Sequence, residues 1–98
     1  MTDDARLAAT AELFKALSSA SRLVILRHLA AAPASVTALV EATRLSQPLV
    51  SQHLRVLRTA GLVHVERSGR DATYSVADTH VAHIVDDAFD HASEPARH

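Results

Sequence analysis

The apolar positions change period twice along the chain, and those changes divide it. From about residue 4 to residue 60 they recur at helical spacing, from 63 to 76 they alternate, and from 79 the helical spacing returns. Leu7, Ala11, Phe14 and Leu17 predict a helix over 4–18, with acidic or capping groups from Thr2 to Asp4 at its start. Ser18-Ser19-Ala20-Ser21 interrupts it. Ser21 is the expected cap of a second helix, whose stripe is Leu23, Leu26, Leu29 and Ala30. Pro33 stops that helix, because proline lacks a donor and disfavours helix in the residue before it. Ser35 caps a short third helix through Thr43, with Val36, Leu39 and Val40 inward. Arg44-Leu45-Ser46 reads as a tight turn and Ser46 as the cap of a fourth helix. Pro48 falls in the first turn of that helix, where a missing N–H costs nothing, and Val50, Leu54 and Leu57 form its buried stripe. Gly61 ends it.

Val63 and Val65 then alternate with His64 and Glu66, and Tyr74 and Val76 with Thr73 and Ser75, around the turn cluster Ser68-Gly69-Arg70-Asp71. That is a β-hairpin with a charged tip. Asp78 is the expected cap of a last helix over about 79–92, with Val81, Ile84, Val85, Ala88 and Phe89 on its apolar side. The fold class predicted is mainly α with one β-hairpin, as one domain over 1–98.

Composition narrows the function. The 98 residues are 48% hydrophobic but only 3% aromatic, so the core must be built from Leu, Val, Ile and Ala. A chain this short builds a small core and is often helped by oligomerisation. There is no cysteine, which removes disulfides, thiolate nucleophiles and thiolate metal sites together. No apolar run approaches the roughly 20 residues of a membrane span, and Met1-Thr2-Asp3-Asp4 is no secretion signal, so a cytoplasmic location with no membrane partner is expected. No G-x-S-x-G, P-loop or H-E-x-x-H pattern is present, so an enzyme is not expected.

The net charge of −1 hides a strong asymmetry. Residues 44–70 carry a net +4, and residues 78–98 a net −4 together with four of the seven histidines, His80, His83, His91 and His98. A basic middle suits a polyanion, and an acidic, histidine-rich end suits a cation.

A short helix, a tight turn and a second helix with a polar outer face make a helix-turn-helix over about 35–60. The outer face presents Gln47, Ser51, Gln52, Arg55, Arg58 and Thr59. Gln can bond adenine in pairs, Arg guanine, and Ser or Thr either bases or phosphates. By itself this also describes an ordinary amphipathic surface helix. The hairpin over about 62–77, with Arg67 and Arg70 bracketing its turn, adds a group shaped to reach a minor groove or backbone phosphates. Helix-turn-helix followed by a basic hairpin is a winged helix, and the partner expected is double-stranded operator DNA.

Leu45-Ser46-Gln47-Pro48-Leu49-Val50-Ser51-Gln52-His53-Leu54-Arg55-Val56-Leu57 resembles the recognition helix of the ArsR/SmtB repressors. Phe14 to Ser18 with Ser21-Arg22-Leu23 is similar to that family's opening helices, and Ala60-Gly61-Leu62-Val63, Arg67 to Arg70 and Tyr74 to its wing. The resemblance spans about residues 10–94. It implies a homodimeric repressor, with the N- and C-terminal helices at the interface, whose DNA is released by an inducer. It places Gln47, Ser51, Gln52, His53 and Arg55 at or near the DNA; His53 reads equally as helix packing.

His80, His83, Asp87, His91 and Glu94, spaced 3, 4, 4 and 3, share one face of the last helix. The bland reading is a wet helix face; for the set, a metal is favoured. His80 and His91 lie roughly 16 Å apart along a helix, too far for a single ion. An antiparallel copy of the same helix would bring the start of one beside the end of the other and make two equal sites. The resemblance to the family's zinc and cobalt sensors implies Asp78 and His80 from one chain with His91 and Glu94 from the other. Such an N₂O₂ set suits Zn²⁺. His83 and Asp87 are extra donors that a Ni²⁺ or Co²⁺ site could use, and an intrachain His83–Asp87–His91 site is a lesser possibility. The function expected is a metal-responsive repressor. The alternatives are a winged-helix regulator with no metal response, a nickel or cobalt sensor, and a small metal-binding or interaction module that does not bind DNA.

Overall fold

The computed structural model describes residues 1–95; the last three, His98 of the histidine-rich end among them, lie outside that range. Five helices and one hairpin follow in order: α1 (Asp3–Leu17), α2 (Ala20–Ala31), α3 (Val36–Thr43), α4 (Gln47–Thr59), β1 (Val63–Ser68), β2 (Asp71–Val76) and α5 (Thr79–Ser93). Each helix starts at a side-chain cap. Thr2, Ser19, Ser35, Ser46 and Asp78 accept from backbone N–H groups three residues on, at 3.1–3.3 Å.

One of these caps corrects the sequence reading. Ser19, not Ser21, opens α2. Three serines in four residues offer rival caps, and a tertiary bond accompanies the choice: Arg22 Nε donates to the carbonyl of Ala16 at 2.6 Å, tying the first turn of α2 to the end of α1. The inward face of α2 also differs, because Ile25 is fully buried beside Leu26 and Leu29 while Leu23 and Ala30 are only partly so.

The core lies between α2, α3 and α4, closed by Leu62 and Val63 of the wing and by Val81 and Val85 of α5. Val50, Leu54 and Leu57 are all buried, as their spacing requires. Full burial of a side chain of this size contributes about 1.5–3 kcal/mol. The end of α4 is closed in a Schellman pattern: Leu62 N–H donates to the Leu57 carbonyl at 2.9 Å and Gly61 N–H to the Arg58 carbonyl at 3.0 Å, with Gly61 at φ +75°. The α3–α4 turn is tight, with Arg44 in the left-handed region at φ 62°.

The hairpin pairs Val63 with Val76 and Val65 with Tyr74. Its two-residue loop has Gly69 at φ +62° in the first position, the arrangement of a type II′ turn. Ala34 adds a single rung on the other side of β2, exchanging both backbone bonds with Tyr74 at 2.8 and 3.0 Å. This rung fastens the α2–α3 connection to the wing, and one extended residue leaves no periodicity by which to find it.

Two helices depart from their expected apolar faces. On α1 only Ala16 and Leu17 are buried, whereas Leu7 is 68% and Phe14 56% exposed. On α5 Val81 and Val85 are buried and Ile84 partly so, but Ala88 and Phe89 are exposed. Apolar spacing marks the face that seeks cover; it does not say that the same chain supplies the cover. The radius of gyration, 14.5 Å against about 13 Å for a compact chain of this size, reflects the projecting helices.

Gly61 offers a clean test, since a Cβ there meets nothing within 4 Å and only the positive φ opposes it. Gly61→Ala should cost about 1 kcal/mol. The expected fall in Tm is about 4–8 °C, read by thermal denaturation at fixed concentration.

Candidate nucleic-acid interface and candidate metal centre

Seating α4 by its buried stripe turns the opposite side outward. Gln47, Gln52, Arg55, Arg58 and Thr59 are exposed there, and Ser51 is half-buried. Gln47 Nε2 donates to Ser51 Oγ at 3.3 Å, one turn apart, so the two read as a paired group at the start of the helix. Ser46 caps that start and Pro48 occupies its first turn.

Between α4 and the wing lies an open cleft of about 480 Å³, lined by Ser51, Arg55, Arg58, Thr59, Arg67 and Tyr74. Three guanidinium groups and no carboxylate line it, which is the electrostatics of a polyanion site. The cleft brings Ser51 and Arg55 of α4 and Arg67 of β1, all predicted DNA contacts, onto one wall. It also takes in Arg58 and Thr59, which the sequence already set on the outer face of α4 among groups suited to the major groove, and Tyr74, which it did not. The signal for the first two was present, since both lie on the polar face of α4; Tyr74 joins only through the hairpin register. Arg70 is not part of the cleft and sits exposed in the hairpin loop.

His53 belongs to a different side of α4. It is half-buried, and its Nδ1 is shut from solvent with no hydrogen-bond partner. Burial, and then the Arg22 guanidinium, hold its pKa below the ordinary imidazole value.

On α5 the predicted metal donors are spread along the helix. Asp78 caps it, accepting from Val81 N–H at 3.1 Å, and His80 Nδ1 lies 3.7 Å from Asp78 Oδ1. His91 is in the last turn, and Glu94 follows as the C-cap, its N–H donating to the His91 carbonyl. His83 and Asp87 are exposed between them. Among the described residues no three His or carboxylate side chains come together, so the intrachain His83–Asp87–His91 arrangement is not assembled. A helix whose donors stand at opposite ends offers two half-sets, each of one carboxylate and one imidazole.

A helix-turn-helix whose polar face adjoins a basic wing defines a winged-helix DNA-binding protein. A family profile described as "Bacterial regulatory protein, arsR family" matches residues 19–65. The HTH-type transcriptional repressor SmtB of Mycobacterium tuberculosis is 49% identical over 90 residues, 92% of this chain and 67% of that protein. The HTH-type transcriptional regulator NmtR of the same species is 46% identical over 90 residues, 92% of this chain and 75% of that protein. Among solved structures, a homodimeric winged helix-turn-helix DNA-binding domain from Mycobacterium bovis, a possible ArsR-family regulator, superposes with a TM-score of 0.84 at 31% identity, over 100% of this chain and 95% of that one. The chain belongs to the ArsR family, and it is a DNA-binding transcription regulator, not an enzyme. Among the described residues no helix is long and apolar enough to cross a membrane.

The state of His53 has a measurable consequence. Because its folded pKa lies below the unfolded one, the unfolded chain binds more protons between the two values. His53 therefore adds stability above the ordinary imidazole pKa, and that stability is lost as pH falls toward the folded value. In an NMR titration the His53 ring should show a midpoint below 6.5. A midpoint at or above that value would contradict its burial.

Proposed function

We propose that a homodimer of this chain represses transcription by binding an inverted-repeat operator, and that metal, Zn²⁺ before Co²⁺ or Ni²⁺, releases it. The observation that carries the metal half is the division of α5 into two donor pairs. Asp78 and His80 stand side by side at its start, and His91 and Glu94 at its end. The chemistry of the set fits: two imidazoles and two carboxylates suit a closed tetrahedral Zn²⁺ site, and no cysteine competes. We assign Asp78 and His80 of one protomer, with His91 and Glu94 of its partner, to each of two symmetric sites. When bound, the ion supplies a bridge between protomers. Asp78 would keep its capping bond through Oδ1 and have Oδ2 for the ion, with His80 Nδ1 3.7 Å from Oδ1.

The DNA half rests on the basic cleft. Two copies of α4 entering successive major grooves, roughly 34–36 Å apart, would place Gln47, Ser51, Gln52 and Arg55 against base edges, with Arg67 and Arg70 on the flanking backbone or minor groove. The exposed apolar faces of α1 and α5 support assembly through those helices. A protomer arrangement tied by metal at α5 would no longer match both grooves. The effect is limited to the metal's preference for that arrangement, typically ~1–3 kcal/mol of coupling.

Fluorescence anisotropy on the chain's own promoter DNA tests both halves. Zn²⁺ should release the wild type, and His91→Ala should bind DNA normally in the absence of metal yet stay bound when Zn²⁺ is added. Tight, salt-sensitive binding that no metal reverses would refute the metal half alone.

Arg55→Ala should weaken binding by about 1–3 kcal/mol while metal affinity stays within about twofold. If Arg55 meets a phosphate instead, the loss should be uniform across sequences and the salt slope should shrink by about 1.

A further inference from the structure

We propose that Arg27 is the positioning residue that couples the donor-bearing end of α5 to the DNA-binding body, an inference that rests on the metal-release reading above. The two halves of α5 are held differently. The first half is anchored by Val81 and Val85, both buried, and by Ile84. Past Asp86 every described residue of the helix is exposed, including Phe89 at 48%. Yet this second half carries His91 and leads to Glu94.

A side chain of α2 reaches it from the body. The Arg27 guanidinium lies over the Phe89 ring, 3.6 Å from its centroid, and Arg27 Nε stands 3.8 Å from Asp86 Oδ1. Among the described residues this is the one ion pair that joins two helices; the others lie within six residues of each other at the start of α1 or of α5. A planar guanidinium can stack on a ring and reach a carboxylate at once, which an ammonium cannot do with the same geometry. Arg27 thus grips two successive turns of α5, one of them immediately before His91.

The other side of α2 explains why this grip reaches the DNA face. Ile25 and Leu26, the two residues before Arg27, are fully buried, and α2 packs on α3, α4 and β2. A displacement of the α5 end would therefore bear on the helix against which the helix-turn-helix and the wing are both seated. Each contact is individually weak and solvent-exposed, so a modest effect is expected rather than an all-or-none lock.

The test compares wild type with Arg27→Gln and Arg27→Lys in the full chain. Metal-free hydrogen exchange should rise about threefold to tenfold for residues 87–93 in Arg27→Gln, with 79–85 and α4 unchanged. The ratio of DNA Kd with and without Zn²⁺ should fall about threefold to tenfold, while metal-free DNA affinity and Zn²⁺ affinity stay within about twofold and the mass remains that of the dimer. Arg27→Lys should fall short of wild type on both readouts. A wild type released by Zn²⁺ whose ratio survives Arg27→Gln would overturn the coupling role and leave the metal reading standing. A wild-type ratio of one would remove the metal reading and the coupling role with it. Unchanged exchange at 87–93, or loss of the dimer in Arg27→Gln, would also overturn the proposal.

Discussion

Everything outward on this molecule depends on how α4 is seated. Val50, Leu54 and Leu57 are driven out of water on one side of the helix, and a helix has no freedom to bury one side without presenting the other. The seat is made by α2 and α3, and the ends of α4 are held separately. Ser46 satisfies its first turn, and Gly61 turns the chain sharply into the wing. The direction of β1 is thus inherited from the end of α4. That is why Arg67 of the wing lines one cleft with Arg55 and Arg58 of α4.

The same economy of apolar surface leaves a deficit elsewhere. A 98-residue chain with 3% aromatic residues can fill the space between α2, α3 and α4, but it does not cover all the apolar positions it carries. Leu7 and Phe14 on α1 and Phe89 on α5 remain exposed. A 15-residue helix standing largely free is marginal in water, and tertiary cover is what ordinarily sustains it. The proposed dimer gives α1 and α5 that cover. In that reading assembly is part of folding as well as of DNA recognition.

Charge follows a complementary logic. The cleft collects guanidinium groups without carboxylates, and five of the eleven acidic residues lie with three histidines on α5 and its caps. Keeping carboxylates out of the cleft lets that wall stay uniformly basic. It also leaves the donors of the proposed metal sites where the core holds the chain least firmly. The grip of Arg27 on Phe89 and Asp86 ties α5 to α2, the helix that packs on α3, α4 and β2.

Much of this was legible in the residues. Period, caps and breakers are local properties, so the five helices, the hairpin, the Ser46 cap, the Gly61 stop and the buried stripe of α4 could be read along the chain. The polar face of α4 and the spacing of donors on α5 were legible for the same reason: both are consequences of one helix's geometry. The choice of Ser19 over Ser21 was not, because the bond from Arg22 to Ala16 joins two helices. Nor were the rung between Ala34 and Tyr74, the exposure of Phe14 and Phe89, or the inward Nδ1 of His53. Each depends on which surfaces meet across distant segments. The sequence by itself determined the elements and the faces that seek water or avoid it. Only the tertiary structure decided which faces found cover, because burial is a property of pairs of surfaces and not of either one alone.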